Sequence, residues 1–183
     1  MKFRRNWELR VNAEARNHMN SYPDAIASFT RLSEEFTLDG LHPTTTRELF
    51  TEFLSERMAS WIAVEASLSE AARGKILEYV HDAKMSTRGS IPDADLDQIR
   101  CRAWSEHDAA EGIEKHALRV VVCGLTRGAV KSMDGGSEHA TTDFLSLIFG
   151  LLARVDSQLV GDFLEFLVDH PRMAHLRTRQ DGG

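Results

Sequence analysis

Apolar residues recur three or four positions apart along nearly the whole chain, the period of an α-helix buried on one side. Trp7, Val11, Ala15 and Met19 mark a first helix. Ile26, Phe29, Leu32 and Phe36 mark a second. Pro23 sits in its first turn, where a missing N–H costs nothing, and Asp39-Gly40 supplies its stop. A third helix follows the phrase HPTTTRE. Thr45 and Glu48 have capping-box spacing there, and Leu49, Phe53, Trp61, Ile62 and Leu68 run along the expected buried side. Ser69 is placed to cap a fourth helix, which carries Ile76, Leu77, Tyr79 and Val80 and ends near Gly89.

Residues 88–95, RGSIPDAD, read as a loop. A helix resumes at Asp93 with Leu96, Ile99, Ala103 and Trp104, and Gly112 either breaks it or weakens it. Leu118, Val121, Val122 and Leu125 form the next stripe, and SMDGGSE (132–138) a second loop. Gly124 and Gly128, in CGLTRG, allow close helix packing or mark a weak point in a helix. Two strongly apolar helices, about 142–154 and 157–169, complete the pattern. His170-Pro171 ends it, because the residue before a proline avoids helical backbone.

No alternating run reads as a strand. The pattern predicts an all-α protein, with residues 1–175 as one compact domain of about seven or eight helices. The arrangement expected is an irregular bundle or a short stack of helical hairpins, with a disordered polar tail over 176–183. A repetition favours the hairpins. HPTTTRELF (42–50) and HATTDFL (139–145) each open a helix, and ILEYVHDAKM (76–85) aligns with FLEFLVDHPRM (163–173). Residues 42–85 and 139–173 thus read as two versions of one helical unit.

Charge narrows the function. The 28 acidic side chains outnumber the 22 Lys and Arg, which argues against general nucleic-acid binding. The basic start MKFRRNWELR leads into no apolar signal region, and the longest apolar run, FLSLIFGLL (144–152), is too short to cross a membrane. Cys101 and Cys123 lack CxxC spacing and fit reduced thiols, so a cytoplasmic location is expected. Residues 33–70 hold eight acids against Arg47 and Arg57. Glu48, Glu52 and Glu56, with Trp61 as an anchor, are therefore the candidate docking residues for another protein, a basic one. The apolar residues of 142–169 (Phe144, Leu147, Ile148, Leu151, Leu152, Phe163, Leu164 and Leu167) offer a homodimer interface.

Phosphate loops and nucleophile elbows of the G-x-x-x-x-G-K-[ST], G-x-G-x-x-G and G-x-S-x-G kinds are missing. Two histidine patterns carry the catalytic alternatives. His81-Asp82 is an HD doublet. With His42 before it and Asp143 after it, the order resembles the metal set of HD-type phosphohydrolases, which implies metal-activated water. Glu78 and His81 also share a helix face, the spacing of a carboxylate–imidazole metal step. Arg102 and His107, with four residues between them on one helix, resemble the Arg–His pair of HEPN-type ribonucleases, which implies metal-free RNA cleavage; Asp108 makes a second HD doublet. The function expected is a non-enzymatic interaction module without cofactor: an inhibitor, immunity-type or adaptor protein. The alternative is a small HEPN-like ribonuclease or HD-like phosphohydrolase centred on His107 or His81.

Overall fold

The computed structural model describes residues 22–126 and 140–178. The stripe from Trp7 to Met19 and the loop at 132–138 lie outside them. The described chain is all-α, with eight α-helices and no strand. In chain order these are α1 (Pro23–Glu35), α2 (Pro43–Phe53), α3 (Ala59–Val64), α4 (Glu70–Thr87), α5 (Asp93–Ala109), α6 (Gly112–Gly124), α7 (Ala140–Val155) and α8 (Ser157–Asp169). Short 3-10 turns follow α1, at Leu38–Gly40, and α8, at Pro171–Leu176. A π turn, Leu54–Met58, joins α2 to α3 without a break.

Local chemistry sets several of the helix ends. Ser69 accepts the Ala72 N–H at 3.1 Å, satisfying one of the orphan donors that open α4. Asp156 does the same for α8, accepting the Gln158 N–H at 2.9 Å. Gly112 breaks the chain between α5 and α6; its φ of +56° is the left-handed region that glycine enters at no steric cost. The start of α2 differs from the capping box expected at Thr45 and Glu48. The helix begins at Pro43, and His42 is the cap: its Nδ1 accepts the Thr44 N–H at 3.2 Å. The threonines lie inside the first turns, where the Thr46 hydroxyl donates back to the His42 carbonyl at 3.2 Å.

The described residues group into two compact units, 22–46 with 140–178, and 47–126. In the first, α1 packs on both α7 and α8. Phe149 is its aromatic centre, 6.0 Å from Phe29 and 5.1 Å from Phe163. Phe144, Leu147, Ile148, Leu151, Leu152, Phe163, Leu164 and Leu167 are all buried within the chain. A homodimer would have to use other surface. The second threonine phrase is tied in this unit to the residue just before the first: the Thr141 hydroxyl, buried in the first turn of α7, donates to the Leu41 carbonyl at 2.9 Å. The chain after Pro171–Leu176 is tied to the end of α1. Thr37 N–H donates to Leu176 O at 2.8 Å and Thr178 N–H to Glu35 O at 2.9 Å.

In the second unit α4 packs on α6 and on the π turn, and α5 packs on α6. The π turn has a cause in the sequence. Phe50, Leu54, Met58 and Ile62, all fully buried, repeat every four residues. That spacing runs ahead of an α-helix by about 40° per step, so a straight helix would turn Ile62 roughly 120° away from Phe50. One inserted residue, with the Ala59 N–H reaching back five positions to Leu54 O, restores the alignment. The same insertion rotates the alternative stripe outward. Trp61, expected on the buried side, is only half-buried, and Val64 is 77 % exposed.

Gly124 sets the spacing of this core. A Cβ there would lie 2.7 Å from Leu54 Cδ1 and 3.2 Å from Ala83 Cβ, so the glycine permits close packing. Gly74, in the exposed face of α4, has nothing within 4 Å of its virtual Cβ. Gly124→Ala is therefore expected to destabilise the protein by about 1–3 kcal/mol through overpacking. Gly74→Ala is expected to stabilise it by about 0.5–1 kcal/mol through helix propensity. Chemical denaturation of the two variants checks both signs.

Candidate functional site

The polar side chains that point to chemistry concentrate on α4, α5 and α6 of the second unit. Arg102 leaves α5 toward α4. Its Nε donates to the Tyr79 hydroxyl at 3.2 Å, its Nη2 donates to Glu78 Oε1 at 3.2 Å, and its guanidinium stacks 5.5 Å from the Tyr79 ring centre. Burial raises the Tyr79 pKa, and the nearby Glu106 carboxylate raises it further, against the pull of Arg102. Glu106 Oε1 lies 3.8 Å from Lys75 Nζ, while Glu106 Oε2 is buried without a partner. The result is a set of contacts, Glu78–Arg102–Tyr79 and Lys75–Glu106, that ties α4 to α5.

His107 faces a different neighbourhood. Its Nδ1 lies 3.0 Å from Asp108 Oδ1, and its ring meets Trp104 edge-on at 5.0 Å. The other partner of Trp104 is Arg119 of α6, whose guanidinium sits 4.4 Å from the indole centre in cation–π geometry. Arg119 is 5 % exposed, an unusual burial for a cation. The Trp104 Nε1–H is buried with no acceptor. Burial lowers the His107 pKa, and the Arg119 charge lowers it further, against the opposing pull of Asp108.

Arg102 and His107 are thus on one helix, as expected, but engaged with separate partners. Arg102 is held by Tyr79 and Glu78, and His107 by Asp108 and Trp104. Glu78 and His81 are both exposed on α4, while Asp82 is half-buried with a carboxyl pKa raised by desolvation and by Glu78. His42 and Asp143 belong to the first unit, both exposed, with His42 committed to its cap. Among the described residues no three His, Cys, Asp or Glu side chains gather to hold a metal ion.

The docking candidates lie along one continuous helical segment. Glu48 and Glu52 are half-buried in α2, and Glu56 is exposed in the π turn. Ser60, Ala63 and Val64 continue that exposed face one and two turns on, beside half-buried Trp61. Val64 was not singled out by the sequence, although the four-residue spacing of Phe50, Leu54, Met58 and Ile62 carried the signal. Arg119 and Tyr79 were missed because their partners come from neighbouring helices.

The contact between Arg102 and Tyr79 makes a testable claim. Tyr79→Phe removes the acceptor of the Arg102 Nε–H and is expected to cost about 1–2 kcal/mol in chemical denaturation. Glu78→Gln, which touches only an exposed pair, is expected to cost less than about 0.5 kcal/mol. Compared with known proteins, the chain matches no family model, and no curated protein or solved structure shows significant similarity to it.

Proposed function

We propose that the protein is a non-enzymatic interaction module that docks a basic partner protein along the exposed face of α2, the π turn and α3. The observation that carries this reading is Val64. Among the described residues it is the large apolar side chain left exposed, at 77 %, and it ends a face that carries Glu56 two turns earlier. A single exposed valine is ordinary on a protein surface. Here it stands beside half-buried Trp61, on a segment whose carboxylates at Glu48, Glu52 and Glu56 recur once per turn.

The two kinds of group would divide the work. The carboxylates would steer a basic surface and set its register, and the apolar end would provide the desolvated contact. Covering one valine contributes about 1.5 kcal/mol, roughly tenfold in affinity. The catalytic alternatives receive less support. A ribonuclease-like site would need Arg102 and His107 to face one substrate, and each is engaged elsewhere. A phosphohydrolase-like site would need a ligand cluster around His81 and Asp82, and the described residues form none.

Affinity capture from an extract of the source cells, with the wild-type chain and two variants side by side, tests the proposal. A basic protein retained by the wild type should bind about tenfold more weakly to Val64→Glu. Its binding to Glu52→Lys/Glu56→Lys should also weaken and lose its salt dependence. RNA cleavage lost on His107→Ala, or metal-dependent phosphate release lost on Asp82→Ala, would replace this reading with an enzymatic one.

A further inference from the structure

The Trp104 cluster is unused by the docking surface and has an unusual charge arrangement. A buried cation, Arg119, covers the indole at 4.4 Å. An ionisable ring, His107, meets the same indole at 5.0 Å with its side chain 14 % exposed. The geometry points to a pH-responsive joint between α5 and α6: protonation of His107 sets a second positive charge against the Trp104 ring that Arg119 already covers, and loosens the pairing of the two helices.

The surrounding charges decide the direction. From α6, Arg119 and Lys115 both oppose a charged imidazole. From α5 itself, Asp108 favours it, but its side chain is 65 % exposed and water screens it. From α4, Lys75 faces Glu106, the residue before His107. Burial and the two cations outweigh Asp108, so the folded protein favours the neutral ring.

Unfolding releases the histidine to its ordinary value of about 6.5. A group whose folded pKa is depressed contributes stability that is present above the unfolded pKa and lost as pH falls toward the folded one. The joint is therefore closed at neutral pH and weakens below about pH 6.5.

Histidine proton NMR of the full chain, with thermal midpoints from pH 7.5 to 5.5, tests this. His107→Gln assigns the His107 resonance and removes the titrating group. The wild-type His107 midpoint should fall below 6.5, shift lower in Asp108→Asn and shift higher in Lys115→Gln. The wild-type thermal midpoint should drop more steeply with acid than that of His107→Gln. A His107 midpoint at or above 6.5 overturns the joint, as does the same acid dependence of stability in both chains. Should His107→Gln fail to fold, the opposite shifts in Asp108→Asn and Lys115→Gln decide the matter, and equal or absent shifts overturn it.

Discussion

The four-residue spacing of Phe50, Leu54, Met58 and Ile62 is the constraint that organises the second unit. An α-helix cannot keep four such side chains on one side over three turns, because 3.6 residues complete each turn. The chain resolves the mismatch by widening one turn to the π geometry at Leu54–Met58. Leu54 then meets Gly124 at the end of α6, where a Cβ would stand only 2.7 Å from it, and Ala83 of α4 closes the other side. Small residues at the meeting point allow close approach, and the large apolar side chains fill the space around it. The exposed face is a consequence of the same adjustment. Rotating Met58 and Ile62 inward rotates Arg57 and Val64 outward.

Core packing and the proposed function are therefore linked through one helical turn. The proposed docking surface is fixed by what the opposite face must bury. Meanwhile, two arginines, one of them the catalytic candidate Arg102, tie helices together. Arg102 joins α5 to α4 through Tyr79 and Glu78, and Arg119 joins α6 to α5 through Trp104. Exposed ion pairs such as Arg102–Glu78 add little energy, whereas burying the Arg119 cation against Trp104 carries a desolvation cost to which the cation–π contact is one offset. That cost makes the Trp104 cluster responsive to added charge.

Much of the fold was legible in the sequence because its signals are local. Pro23 opens α1, Ser69 caps α4 and Gly112 breaks α5 from α6, each through chemistry confined to a few neighbouring residues. The cap at His42 was misread because an imidazole took the place that Thr45 was expected to fill; the proline at position 43 already marked the true start. The π turn was visible in the spacing but was overlooked by reading a uniform 3.6 period, and with it Trp61 was placed too deep. The pairing of Arg119 with Trp104 has no local signal. It depends on which turn of α6 packs against α5, a register set by the whole core. The same holds for Tyr79, whose acceptor role follows from Arg102 arriving 23 residues later in the chain.

Side-chain footprinting by hydroxyl radicals, applied to the isolated chain and to the chain bound to its captured partner, addresses the docking face most directly. Labelling of both Val64 and Trp61 in the isolated chain, suppressed at both in the complex, is the result expected. Unchanged labelling at Val64 and Trp61, with protection confined to other parts of the chain, would contradict the proposed surface.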